Sequence, residues 1–176
     1  MSRMFIWLQL RENQLFHWVN KRTQGTLINY LLHKITHLGG ATIAISLSLG
    51  TALFAPSEVW RLTGLQALVA LAVSHIPVAI IKRKYPRLRP YLVLPETNTC
   101  LKPLADHSFP SGHTTAIFAL IVPFVINFPM LGTILLPIAF LVGYSRIYLG
   151  LHYPSDCAVG AIIGSLAGLL TVIFWS

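Results

Sequence analysis

The sequence predicts an all-α integral membrane helical bundle of about five transmembrane spans, each near the ~20 apolar residues that cross a bilayer, with an N-terminal interfacial helix to make six helices in total. Two observations predict it. Apolar residues make up 55% of the chain and charged residues only 10%, whereas about a quarter of a soluble domain is charged. The apolar residues are also gathered into long runs, at 62–81, 114–128, 131–144 and 158–175. A fifth run, 40–55, is short by itself and reaches spanning length if it extends back through 26–38, tilted or starting in the interface. Residues 1–176 then form a single membrane-embedded domain, without internal repeat or low-complexity tract.

Residues 4–19 open the chain with a mixed pattern. Arg11, Glu12 and Asn13 interrupt the apolar residues, and no small-residue cleavage site follows, which argues against a cleavable signal peptide. Trp7 and Trp18 suit headgroup depth, so a helix lying in the interface is expected. Arg11 falls inside its apolar arc, which leaves a sixth, poorly inserted span as the alternative.

Proline, glycine and charge mark the connections. APSE at 55–58 and NFPM at 127–130 read as tight turns. The segment 82–110 is the one long polar stretch, and SRIYLGLHYP at 145–154 carries the chain from the fourth span to the fifth. Counting crossings puts these last two connections on one membrane face and the two turns on the other. In the final span Gly160, Gly164 and Gly168 recur at every fourth position, a ridge that lets another helix backbone approach closely.

The formal charge of +8 suits contact with anionic lipid or phosphate. Its interleaving with membrane segments argues against nucleic acid as a partner. The positive-inside rule places the polar connections in the cytoplasm. Cys100 and Cys157 are a pair or two free thiols, Cys157 reading as a small packing residue.

Three clusters share the polar face. In KRKYPRLRP, residues 82–90, six residues separate Lys82 from Arg89, which precedes Pro90. Taken alone this is a basic collar snorkelling toward headgroups. In FPSGHTT, residues 109–115, Ser111 caps a span and Gly112 admits a ligand close to the backbone. The first amides of that helix lack intrahelical partners and form a phosphate cradle, with His113 in the same turn. In the third cluster Pro154 suits a first helical position, so His152 lies in the loop and Asp156 in the first turn beyond. That carboxylate can reach back to one imidazole nitrogen and leave the other free to attack. Arg146 offers a planar fork to phosphate oxygens.

Together these parts suit phosphoryl transfer, whose transition state spreads negative charge over equatorial oxygens. Lys82, Arg89, Arg146 and backbone amides would hold that charge, and one histidine would attack while the other protonates the leaving oxygen. The acids near the site are too few for a Mg²⁺ nest, so no metal and no other cofactor is expected. The other histidines read as structural: His33 and His37 lack a third ligand, His75 precedes Pro77 in a span, and His107 with Asp106 borders the pocket mouth.

The set Lys82-x6-Arg89-Pro90, Pro110-Ser111-Gly112-His113 and Ser145-Arg146-x5-His152-x3-Asp156 resembles the three motifs of the type-2 phosphatidic acid phosphatase superfamily, which includes bacterial membrane lipid phosphatases and vanadium haloperoxidases. The resemblance covers residues 82–156. It implies a helical bundle and a metal-free phosphohistidine mechanism. By that pattern His152 is the nucleophile, Asp156 orients it, and His113 is the general acid. Lys82, Arg89, Ser111, Gly112 and Arg146 hold the phosphate, while Ser145 and the two prolines are structural. The expected protein is a multi-pass lipid phosphatase of the plasma membrane acting on a phosphorylated lipid. Undecaprenyl diphosphate, phosphatidylglycerophosphate and phosphatidic acid are the substrates considered, with a lean to the first two. Many bacterial relatives of that family face outward, opposite to the charge count, so the face stays open. The alternatives are a non-catalytic protein that binds or transports anionic lipid, and a vanadate haloperoxidase, against which the oily spans argue.

Overall fold

In the computed structural model of the chain, residues 3–21, 25–99, 104 and 106–175 are described, and all regular structure among them is helical. The α-helices are α1 (Arg3–Lys21), α2 (Thr26–Thr36), α3 (Ala41–Phe54), α4 (Glu58–Lys84), α5 (Pro90–Val93), α6 (Gly112–Asn127), α7 (Gly132–Tyr148) and α8 (Pro154–Phe174). Eight helices replace the expected six, for two local reasons. The first expected span is broken into two helices: Gly40 is extended (φ −75°, ψ 146°), and the pair around it bends by 54°. Within the polar stretch, Pro90 starts the single-turn α5, with Arg89 as its N-cap.

Three helical stretches are long and apolar enough to cross a membrane: Glu58–Lys84, Pro129–Tyr148 and Pro154–Phe174. A fourth is reached if the bent pair α2–α3 counts as one span. Helix α6 is apolar but only 16 residues long, about 24 Å against a hydrocarbon core of ~30 Å. It tolerates that length because α4, α7 and α8 surround it, burying its side chains from Thr114 to Ile121. Helix α1 does not qualify as a span, since Arg3, Arg11, Glu12 and Lys21 punctuate it. It buries Phe16, Val19 and Asn20 and leaves Trp7, Leu10 and Trp18 exposed. Asn20 ties it down by donating to the carbonyls of Tyr148 (2.8 Å) and Asn98 (2.9 Å).

Helix α7 runs to Tyr148, so Arg146 sits near the end of the preceding span as expected, Ser145 joins it in the last turn, and the link to α8 shrinks to residues 149–153. Cys157 is a free, buried thiol beside the Gly143 carbonyl, while Cys100 lies outside the described residues. His75 spends its Nδ1 on the Leu71 carbonyl at 2.9 Å, a bond within its own helix.

Packing centres on α6 and α8, and the glycine ridge sets their separation. A Cβ on Gly164 would stand 2.3 Å from the Thr115 carbonyl oxygen, and one on Gly160 2.7 Å from that of Ser111. The far end is closed by polar bonds: Asn127 donates to Thr63 (2.9 Å) and Gln66 (2.8 Å), and Gln66 donates to the Trp175 carbonyl (3.0 Å). Both helices are thereby held at two heights, which fixes how their N-termini meet.

Replacing Gly164 by alanine therefore lowers thermal stability in detergent by roughly 1–3 kcal/mol, an overpacking cost. At Gly50 a Cβ would meet nothing within 4 Å, so the same replacement there is neutral or stabilising, and calorimetry of the two variants checks the contrast.

Candidate active site

Positive groups converge where α4, α6, α7 and α8 end on one side. Lys82, in the last turn of α4, donates to Asp106 Oδ2 at 2.5 Å and to the His107 carbonyl at 2.8 Å. Arg89 is 2% exposed, and each of its three nitrogens has a partner. Its Nε donates to the Asp106 carbonyl (2.9 Å), its Nη2 to Asp106 Oδ1 (2.7 Å), and its Nη1 to the Leu151 carbonyl (2.8 Å). Arg146 is equally buried and gives Nη1 to Thr36 Oγ1 at 2.8 Å. Its Nε has no hydrogen-bond partner among the described residues.

At the head of α6, Ser111 is the N-cap, accepting from the Thr114 amide (3.4 Å) and the Thr114 hydroxyl (3.0 Å). Nothing lies within 4 Å of where a Gly112 side chain would begin, so an anion can approach the backbone at the head of α6 closely. His113, one residue on, lies within electrostatic reach of Arg146, His152 and Arg89. The Ser111 amide donates to the Asp156 carbonyl (3.0 Å), which binds the heads of α6 and α8 together.

The turn carrying His152 needs Gly150, whose φ of +74° few L side chains adopt. The Leu151 and His152 amides both donate to the Arg146 carbonyl, at 3.0 and 3.2 Å. His152 is 2% exposed. Its Nε2 lies 3.2 Å from Arg89 Nη1, and its Nδ1 lies 2.8 Å from the Ser108 carbonyl. A guanidinium only donates, so Nε2 is the bare acceptor and Nδ1 carries the proton. Asp156 is wholly buried, accepting from the Tyr153 amide (2.8 Å) and the Ser108 hydroxyl at Oδ2. That oxygen is 3.6 Å from His152 Nδ1, beyond a hydrogen bond. The direct bond expected between Asp156 and the imidazole thus goes to the Ser108 carbonyl instead, and the carboxylate acts on the ring through its charge.

Burial is the main cause that lowers the His152 pKa to about 4, with Arg146 and Arg89 adding to it and the contact with Asp156 opposing. The imidazole is therefore neutral at pH 7. Asp106 is held down to about 2 against the pull of burial, by bonds to Lys82 and Arg89 and by their charge.

The family model of the PAP2 superfamily matches residues 63–176. The chain belongs to that superfamily. The bacitracin transport permease protein BcrC of Bacillus licheniformis is 35% identical over 116 residues, 66% of this chain and 56% of that one. Undecaprenyl-diphosphatase of Sulfolobus acidocaldarius is 29% identical over 160 residues, 90% of this chain and 76% of that one. The crystal structure of LpxE from Aquifex aeolicus superposes with a TM-score of 0.81 at 28% identity, over 91% of this chain and 93% of that one. The matches span about half the length of several curated relatives.

Within this PAP2 chain, all eight expected site residues come to one end of the bundle: Lys82, Arg89, Ser111, Gly112, His113, Arg146, His152 and Asp156. Three further groups, Ser108, Thr36 and Gly39, enter that the sequence did not single out, and Asp106, expected only at the pocket mouth, takes a larger part. Ser108 holds both His152 and Asp156, and Asp106 bridges two of the cations. Thr36 supports Arg146, and the backbone at Gly39 presses on that of His113, where a Cβ would be 2.6 Å from the His113 oxygen. The DHSFPSGH run carried a signal for Asp106 and Ser108. Thr36 and Gly39 carried none, being more than 70 residues from what they touch. Among the described residues no three His, Cys, Asp or Glu side chains gather as a metal nest requires.

The His152 shift has a definite sign for stability. Its folded pKa of about 4 lies below the ordinary 6.5, so the unfolded chain binds more protons in between, and stability falls as pH drops from 6.5 toward 4. Thermal melts of wild type and His152→Gln across that window check this: the wild type loses stability on acidification more steeply than the variant.

Proposed function

We propose that this PAP2 chain is a membrane lipid phosphatase that removes the terminal phosphate of a lipid phosphate or diphosphate through a phosphohistidine, without a metal. One observation carries the reading: a neutral, buried His152 whose bare Nε2 points at Arg89, beside an Arg146 whose buried Nε has no partner among the described residues. A terminal phosphate set between Arg89, Arg146, Lys82 and the backbone at the head of α6 would meet those donors and lie against Nε2.

The lone pair of Nε2 attacks phosphorus, and the bond from phosphorus to the lipid-side oxygen breaks. His113 donates a proton to that oxygen. As the ring becomes cationic, the Ser108 carbonyl accepts from Nδ1–H and the Asp156 charge, 3.6 Å away, offsets it. Water then attacks the phosphohistidine, giving its proton to His113, and inorganic phosphate leaves with the phosphorus–nitrogen bond broken. Asp106, bonded to Lys82 and Arg89 and with a side chain 55% exposed, is the group that an incoming phosphate displaces.

Five membrane crossings complete the reading, with α6 spanning inside a sheath of protein and the bent α2–α3 pair as one crossing. Helix α1 lies at headgroup depth of the plasma membrane. The lipid then presents its phosphate at the bundle end while its tails remain in the bilayer, and the substrate class is undecaprenyl diphosphate, phosphatidylglycerophosphate or phosphatidic acid.

Phosphate release from these three lipids by the purified full chain, in mixed micelles with chelator present, tests the proposal. Turnover of at least one is expected, with His152→Ala lowering it by at least about a thousandfold. Absence of turnover, its abolition by chelator, or a fully active His152→Ala protein contradicts the reading; the first outcome favours a binding-only role and the second a metal-dependent one. Replacing Asp106 by Asn frees Lys82 and Arg89 from their counter-ion, so product inhibition by inorganic phosphate tightens by up to about fivefold, the worth of one partly exposed ion pair.

A further inference from the structure

Arg87 lies between Lys82 and Arg89 in the sequence, yet it belongs to none of the phosphate contacts. Its guanidinium joins α1 to the head of α8. Nη1 donates to Asp156 Oδ1 and to Ser155 Oγ, both at 2.8 Å, and Nη2 donates to Glu12 Oε2 at 2.7 Å. The guanidinium carbon also rests 3.7 Å from the centre of the Tyr153 ring. Glu12 turns its second oxygen to Ser155, accepting from the amide at 3.0 Å and from the hydroxyl. The Ser155 amide is one of the first-turn donors of α8 that have no intrahelical partner. Glu12 thus caps α8 from a helix 143 residues earlier in the chain.

Asp156 is the end of this chain of alternating charge. It has no exposure, and its two oxygens divide their work. Oδ2 faces Ser108, the Tyr153 amide and, at 3.6 Å, His152 Nδ1. Oδ1 is held by Arg87, the one cation in contact with this carboxylate among the described residues. Without Arg87 that oxygen loses its donor in a buried place, where an ionised carboxylate is costly, and the group either turns or takes up a proton. Either response removes the negative charge that His152 needs once its ring becomes cationic. The effect falls on the transition state, because Arg87 touches no group that holds the ground-state phosphate.

We infer that Arg87 is a positioning residue for phosphoryl transfer, acting through Asp156, and that Glu12 of α1 holds Arg87 in place. The inference rests on the phosphohistidine reading above. It also assigns α1 a part in the chemistry, although the family match begins only at residue 63.

Steady-state kinetics on whichever of the three lipids the wild type turns over provide the test, with His152→Ala as the reference for the mechanism itself. Arg87→Gln is expected to lower kcat by about ten- to hundredfold with KM nearly unchanged, the scale of a misplaced catalytic group. Arg87→Lys recovers part of the loss, since an ammonium reaches Asp156 but cannot fork to Glu12. Glu12→Gln, which keeps shape and one acceptor, lowers kcat by about threefold or more, and adds nothing in the Arg87→Gln background. If the wild type releases no phosphate, or His152→Ala stays active, the phosphohistidine reading itself falls. If those controls hold and Arg87→Gln keeps kcat within about twofold, or loses only in KM, the role of Arg87 alone is overturned. Should Arg87→Gln show no cooperative unfolding, Glu12→Gln decides, and an unchanged kcat there overturns the inference.

Discussion

Positive charge buried at the end of an apolar bundle must be matched, and this chain commits three of its five acidic residues to doing so. Asp106 bridges Lys82 and Arg89, while Glu12 and Asp156 flank Arg87. Arg146 differs: its identified support is a threonine hydroxyl, with no carboxylate partner among the described residues. An uncompensated buried guanidinium is expensive, so the place around Arg146 favours an anion brought from outside. The acids also differ among themselves. The Asp156 side chain has no exposure and that of Asp106 is 55% exposed, which makes the first a fixture and the second an exchangeable counter-ion.

The bundle delivers these charges by holding helix ends together. The glycine ridge of α8 brings its backbone against α6, the Ser111 amide bonds to the Asp156 carbonyl, and Gly150 folds the connection so that the Arg146 carbonyl gathers the Leu151 and His152 amides. Each contact is a backbone approach that a larger side chain would block. Rigid placement of this kind lets Arg89 set the His152 tautomer, because a donor 3.2 Å away admits no proton on Nε2.

The N-terminal third is part of the same machinery. Glu12 and Asn20 on α1, Thr36 on α2 and Gly39 in the turn before α3 all reach the site or the connection that carries it. Their charges and caps meet the partners of the candidate site residues. The bend between α2 and α3 falls beside Gly39, where the backbone meets that of His113.

Much of the fold and most of the candidate site were legible in residue order. Apolar runs must lie in a bilayer wherever they occur, a serine before a helix caps it through its own neighbours, and a proline opens α8 by its own ring. Those are local effects, and they place Ser111, His113, Arg146, His152 and Asp156 at helix ends without reference to the rest of the chain. Helix breaks were less legible, because the extended Gly40 depends on what packs beside it. Partnership was illegible. Glu12 reads as an interruption in an amphipathic helix and Arg87 as one more base in a collar, and the sequence expectation that Asp156 bonds to His152 gives way to Ser108. Such pairings join residues tens of positions apart, and their energy exists only once the helices between them have packed.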